Sequence, residues 1–458
     1  MDRETAEIHV EEMPGEAARE WASYHREHAA PSTYVYDFVW DTTEDAVGPF
    51  CTDVDGNVLL DFTSHVASAP LGYNNPKVLD RLAEFDLVDP TKIAGQDFYV
   101  SSGGTPEAPD VPGPAQLMDK LTDLTSHYDL DTVFLSNSGA EAVENAIKIC
   151  YAQGGHRGIT FEGAFHGRTL GALSLNRSKT AHREGFPEVP GVVSVPYCAC
   201  EGACDCGWKT DGPTGNVLGD RLHPERGNIP ADEVSFLILE PQQGEGGYRV
   251  PNEEFVADVA AIREAHDVKI VADEIQSGLG RTGKMWGVDH LDLEPDVITS
   301  AKGLRVGATV ANADTFPEEK GRLSSTWGAG DILSSAQGYA TLAAIDEHDL
   351  LQNVRERGRQ LRETLRDEAP EFLLDVRGRG LMVGVEFDTK DRREAVVQAC
   401  LKRGLLTLGC GHKTLRLIPP LDVTEREIEM AVDVLREVFA DSSVTTAAHS
   451  TESSEDVL

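Results

Sequence analysis

Lys302 and Asp273 are the two residues of this 458-residue chain best placed to do chemistry together. Asp273 ends the apolar run VKIVAD, and Lys302 comes just after the run DVITS. The two are about 30 residues apart, the length of one strand–crossover–strand unit. An acid and a lysine at the carboxyl ends of two such strands face one crevice, where open α/β sheets bind ligands. A lysine that forms a Schiff base and a carboxylate beside a pyridinium nitrogen together hold pyridoxal phosphate. Singly, neither residue decides anything: Asp273 also reads as a helix N-cap, and most lysines are solvated.

Two further stretches offer what that cofactor needs. In FLSNSGAEAVENAIK a strand gives way to a Ser-Asn-Ser-Gly turn, and a helix begins near Gly139, after Ser138 and before Ala140. The backbone N–H groups and dipole at such a terminus suit a phosphate dianion. Many strand-to-helix turns look alike and bind nothing. In ITFEGAFHGRTLGALSL, Phe165 and His166 sit in a Gly-flanked turn after a strand. A ring there can stack on a pyridine face, or it can simply fill core.

The elements that must position these residues run from about Thr132 to Asn312. VFLS, GITF, VVSVP, SFLILEP, KIVADE and DVITS read as short strands, alternating with helical segments such as ADVAAIREAHD and AVENAIKICYA. That pattern predicts an α/β fold, a mostly parallel central sheet covered by helices. FCTDVDGNVLLDFTS reads as a hairpin around a DG turn. Past Thr326, one long helical stretch or two in succession lead into an α+β region. The expected organisation is an N-terminal segment, 1–65, that joins a smaller domain; a large domain over 66–338; the rest of the small domain over 339–442; and a core-free tail, 443–458.

Composition bounds the partners. The chain carries 41 Lys plus Arg against 78 Asp plus Glu, a formal net charge of −37. Binding DNA or RNA needs basic groups on phosphates, so a nucleic-acid partner is disfavoured. The acids are spread along the whole chain, which reads as adaptation to salt rather than as a binding surface. There is no apolar run long enough to span a membrane, and the acidic start MDRETAEIHVEEMPGEAAREW lacks the core of a secretory signal, so the cytoplasm is expected.

Taken as an ordered set, SNSGAEA, GAFHGRT, LEPQQGEGG, VADEIQSGLGRTGK and SAKG resemble the class III aminotransferases, pyridoxal-phosphate enzymes of fold type I. The resemblance covers roughly residues 35 to 440. It implies that Lys302 is the covalent anchor and moves the proton between substrate and cofactor, that Asp273 pairs with the pyridine nitrogen, and that Gln276 touches the ring hydroxyl. It implies phosphate donors at Ser138, Gly139 and Ala140, with Phe165 stacked on the ring beside His166. Thr326, in SSTWG, matches a threonine that reaches the phosphate of a neighbouring subunit, which implies a homodimer with shared active sites.

The same resemblance supplies the substrate side. Arg416, in TLRLIPPL, matches the arginine that binds the α-carboxylate of 2-oxoglutarate or glutamate, and EPQQGEGG supplies Glu240 and Glu245. In the ω-aminotransferases, the glutamate at the position of Glu245 pairs with that arginine when the substrate's end is not a carboxylate. The implied reaction moves the terminal amine of lysine, 4-aminobutyrate or a similar donor to 2-oxoglutarate; an amino-acid racemase on the same scaffold is the alternative. Departures bear on the donor: GAGD stands where many members have Gly-Gly-Asn-Pro, and KGLRVGATV replaces a glycine-rich turn. RLSSTWG and LDFTSHVASAPLGYNNP look like lysine 6-aminotransferases, whereas LGCGHKTLRLIPPL and GGYRVP look like archaeal 4-aminobutyrate aminotransferases and the related racemases.

Two motifs fall outside this reading. GLGRTG, from Gly278 to Gly283, has a dinucleotide-type spacing but no strand directly before it and no helix start after it. Cys198, Cys200, Cys204 and Cys206 form C-x-C-x₃-C-x-C, which suits either a structural zinc or a surface loop of reduced thiols.

Overall fold

The computed structural model describes residues 1–34, 36, 38–85, 103–323 and 332–447. It divides into two compact units, one built from Met1–Asn75 and the chain from Asn353 onward, the other from Pro76–Gln352. The chain thus passes between them after Asn75 and after Gln352, each later than the expected 65 and 338.

The larger unit is built on a seven-stranded sheet: β1 (Thr132–Ser136), β2 (Arg157–Phe161), β3 (Val192–Val195), β4 (Val234–Leu239), β5 (Lys269–Asp273), β6 (Val297–Ser300) and β7 (Gly307–Ala311). Their spatial order is β1-β7-β6-β5-β4-β2-β3. All pairs are parallel except those of β7, which runs against both β6 and β1. All six expected strands are present; β7 is an addition, in the segment read as a departure after the lysine.

Successive side chains on the central strands enter opposite cores, as a sheet buried on both faces requires. Leu237, Leu239 and Ile270 join Phe161, Trp208 and Phe255 on one side. Phe236, Ile238 and Val271 join Val143, Ala146 and Cys150 on the other. Among the helices that cover these faces are α1 (Gly139–Gln153) and α2 (Glu253–His266). In α1, Ser138 is the N-cap, accepting from the Glu141 N–H, and Ala142, Val143, Ala146, Ile147, Ile149 and Cys150 bury one face. In α2, Asn252 caps the Phe255 N–H, and Phe255, Val256, Val259 and Ile262 face inward. The β5–β6 connection holds turns and one 3-10 turn, Val288–His290, but no α-helix. The GLGRTG spacing is itself a run of turns, with positive φ at Leu279, Gly280 and Gly283.

The smaller unit contains the expected hairpin, Phe50–Thr52 against Val58–Asp61, turning at Gly56 with φ +85°. Leu405–Leu406 adds to it in parallel. A second sheet is formed by β8 (Leu373–Arg379), β9 (Met382–Phe387), β10 (Leu408–Cys410) and β11 (Thr414–Leu417), in the order β8-β9-β11-β10. The expected long helical stretch is two helices, Ile332–Glu347 and Leu350–Asp367, separated where Asp349 turns left-handed at φ +47°. One expectation needs correction: residues 443–447 are not core-free. Ser442–Thr445 is a helical turn that buries Val444, and Arg392 donates to the carbonyls of Val444 and Thr445. Among the described residues, no helix is long and apolar enough to cross a membrane.

Candidate active site

Asp273 is the last residue of β5 and lies in register with Thr299 on β6. Lys302 follows β6 after Ala301 and opens a 3-10 turn, Lys302–Leu304. The acid and the lysine therefore leave the same edge of adjacent parallel strands, at the carboxyl ends where such sheets bind ligands. Lys302 is half-buried and Asp273 is 3% exposed.

Every oxygen of Asp273 is engaged. Oδ2 lies 2.7 Å from His166 Nδ1, while Oδ1 accepts from the Ile275 N–H at 3.1 Å and from the Thr299 hydroxyl at 3.3 Å. His166 is fixed in turn: its backbone N–H donates to Asn176 Oδ1, and Asn176 Nδ2 donates to the Gly167 carbonyl. A carboxylate facing Nδ1 holds the ring proton there, which leaves Nε2 as the acceptor in the neutral ring. That Nε2 is buried and has no hydrogen-bond partner among the described residues. Sequence reasoning named His166 without its role, and it missed Asn176 and Thr299. Nothing in the pattern around Asn176 sets it apart from any other polar residue after a helix.

Glu240 follows β4 and accepts the N–H groups of Phe165 at 3.0 Å and Gly244 at 2.8 Å, so it organises the turn that carries the aromatic ring. Burial pushes its carboxyl up to about 7; the nearby Asp273 adds to the shift, while His166 and the two backbone donors oppose it. Glu274, also buried, is raised to about 7, again chiefly by burial, against hydrogen bonds from Ser277, Val288 and Gly287. From an ordinary value of 4.5, both carboxyls keep protons in the folded chain that the unfolded chain has lost. Stability should therefore fall as pH rises from 4.5 to about 7 and level off above that. Glu240→Gln and Glu274→Gln, similar in shape but uncharged, are expected to flatten that fall in Tm. Thermal melts across the window check this, and an undiminished slope in both variants would refute it.

At the start of α1, the N–H groups of Gly139 and Ala140 have no acceptor within the helix. Two glycines shape this end. A Cβ on Gly139 would meet Ile275 Cδ1 at 2.8 Å, so the bare backbone lets the helix start approach the segment after Asp273. A Cβ on Gly307, which opens β7, would stand 2.3 Å from both the Ser136 hydroxyl and the Ser138 carbonyl.

Around these groups, Phe165 is half-buried, with the His182 ring edge-on at 5.2 Å and the Arg168 guanidinium 5.6 Å from its centroid. Gln276 Oε1 is buried and has no partner among the described residues, in space that Gly244 leaves open: a Cβ there would lie 2.7 Å from it. Glu245 lies 3.9 Å from Lys179 Nζ. Arg416, in the smaller unit, is buried on β11 opposite Gly384 and Leu408. Thr326 and the rest of 324–331 lie outside the described residues.

These residues fit pyridoxal phosphate. The orphaned Gln276 Oε1 suits a ring hydroxyl, the buried and braced Asp273 suits a protonated ring nitrogen, the helix start suits an anion, and a lysine stands at the same sheet edge.

The comparisons with known proteins agree with that geometry. The chain is 34% identical over 410 residues to an acetylornithine aminotransferase of Synechocystis sp., covering 85% of this chain and 86% of that one. An alanine/serine racemase of Pyrococcus horikoshii is 30% identical over 429 residues, with 86% of this chain and 85% of the relative covered. A lysine aminotransferase from M. tuberculosis superposes with a TM-score of 0.79 at 27% identity, over 92% of this chain and 99% of that one. The family model "Aminotransferase class-III" matches residues 36–439. The chain belongs to the class III aminotransferases, enzymes that use pyridoxal phosphate.

Proposed function

We propose that this aminotransferase takes the terminal amine of an ω-amino acid and delivers it to 2-oxoglutarate in two half-reactions. The observation that carries the reading is the Asp273–Lys302 pairing at the ends of β5 and β6, with Asp273 braced by His166 and Thr299. The donor class rests on relatives named for acetylornithine and lysine, amino acids with a nitrogen at the far end of the side chain. Lysine and 4-aminobutyrate remain in the same class.

Pyridoxal phosphate, when bound, supplies the electron sink for the bond broken at the substrate carbon. Lys302 Nζ anchors it and then carries the proton between substrate and cofactor. Asp273 keeps a positive ring nitrogen favourable by its charge, held in place so that no reorganisation is needed. Gly139 and Ala140, behind the Ser138 cap, donate to the phosphate, Gln276 accepts from the ring hydroxyl, and Phe165 covers the ring. Glu240 keeps Phe165 in position. Arg416 receives the carboxylate of 2-oxoglutarate, and Glu245 acts on the choice of donor. Thr326 is assigned to the phosphate of a second copy, which makes the working form a homodimer. We place it in the cytoplasm, with its acid-rich composition suited to concentrated salt.

A panel of amines assayed at high salt tests this. N-acetylornithine, ornithine, lysine or 4-aminobutyrate should yield glutamate from 2-oxoglutarate, whereas alanine should not. The racemase relative motivates the second arm: inversion of an amino acid's chirality with no glutamate formed would replace this reading with racemisation.

A further inference from the structure

Four of the eight cysteines lie in the loop of residues 196–216, between β3 and the short helix Val217–Leu222. The Sγ atoms of Cys198, Cys200, Cys204 and Cys206 are all within 4.8 Å of one another. Cys204 is central, with its sulfur 3.6 Å from that of Cys198 and 3.5 Å from that of Cys206. Four thiolates arranged tetrahedrally at the zinc–sulfur distance of about 2.3 Å stand about 3.8 Å apart. The observed sulfurs are near that edge length and far beyond the roughly 2.05 Å of a disulfide. An iron–sulfur cluster distributes its thiolates over several iron atoms, which calls for a wider set.

A hydrogen-bond donor reaches the cluster from a neighbouring segment of the chain. Asn252 Nδ2 donates to Cys198 Sγ at 3.2 Å. Such donors around the ligands orient a metal site and offset the charge of its thiolates. An acidic group is also in contact: Cys200 Sγ lies 3.3 Å from Asp205 Oδ1. Gly202 and Gly207 take left-handed backbone, φ +84° and +80°, and so fold the loop back on itself. Reduced cysteines filling core would explain buried Cys198, and half-buried Cys200, Cys204 and Cys206 pack against the same core. Core filling alone gives no reason for four sulfurs to converge.

We propose that Cys198, Cys200, Cys204 and Cys206 bind a single zinc ion that staples this loop. The C-x-C pairs are tighter than the two-residue gaps of common zinc ribbons, and the three residues between the pairs supply the reversal. The staple would act behind the amine chemistry. It fixes Tyr197, whose hydroxyl donates to the Glu240 carbonyl, and Asn252, the cap of α2.

Metal analysis of the full-length holoenzyme, purified without chelator, should find about one zinc per chain. Cobalt(II) exchanged into the same protein should give the intense visible bands of a tetrahedral thiolate site. Cys204→Ser and Cys206→Ser should each lower zinc content about tenfold, while Cys51→Ser, buried elsewhere, should leave it unchanged. Should the serine variants fail to fold, the zinc content and cobalt spectrum of the unaltered protein still decide. Folded holoenzyme that takes up neither metal in excess, with all four thiols open to a thiol reagent, would overturn the proposal. Iron in place of zinc would overturn the assignment of the ion.

Discussion

Lys302→Ala is expected to cut turnover by on the order of 10³-fold or more and to abolish the visible absorbance of a cofactor–lysine linkage. The size follows from the number of tasks given to one amine. In the proposed mechanism it anchors the cofactor covalently and afterwards holds and returns a proton at the same place. No other lysine stands near enough in the sequence to the end of β6 to substitute, and the turn from Lys302 to Leu304 fixes its position. Lys302→Arg is the informative companion, since it keeps the charge but cannot form the linkage; it should be as inactive as the alanine variant. Both should melt within a few degrees of the parent, because a half-buried side chain at a turn carries little of the core. Absorbance and turnover that survive in Lys302→Ala would remove this residue from the mechanism.

Asp273→Asn should lower kcat by roughly 10²–10³-fold, the usual cost of losing one preorganised charge in a site. The substitution is nearly isosteric, and the amide oxygen can still accept from Ile275 and Thr299. What it removes is the negative charge and the acceptor that faces His166 Nδ1. An amide NH₂ opposite Nδ1–H would force the histidine proton to Nε2, so the variant alters both the ring partner and its brace. Asn176→Ala separates these effects, since it loosens His166 and leaves Asp273 charged. A wild-type kcat in Asp273→Asn, with cofactor retained, would refute the electrostatic role. Weakened cofactor retention at an unchanged Tm would locate the loss at the site rather than in the fold.

Much of this arrangement was legible before any coordinates because apolar runs ending in a functional residue are strong local signals. VKIVAD and DVITS announced both strands and both of their chemically useful ends. The strand β7, GATVA, did not announce itself: its alanines, glycine and threonine give little apolar contrast, and only burial between β6 and β1 makes it a strand. Thr299 and Asn176 were invisible for a different reason. Their value comes from a partner 26 residues away for Thr299, and for Asn176 from the backbone of a turn, and spacing does not encode either contact. The tail was misjudged at its start because the Ser/Thr-rich composition outweighed one valine, Val444, whose carbonyl is held by Arg392. The cysteine loop shows the opposite case, in which the pattern was conspicuous but the convergence of its sulfurs required the fold.

Asn252 has a further consequence for how the large unit moves. One side chain closes the first turn of α2 with its oxygen and holds Cys198 Sγ and the Cys200 carbonyl with its nitrogen, while its own N–H donates to the Cys198 carbonyl. A fluctuation that frays the helix start therefore releases the cysteine loop, and one that lifts the loop uncaps the helix. Two segments separated by some 50 residues thus share a single local opening event and its free energy, as one cooperative element rather than two.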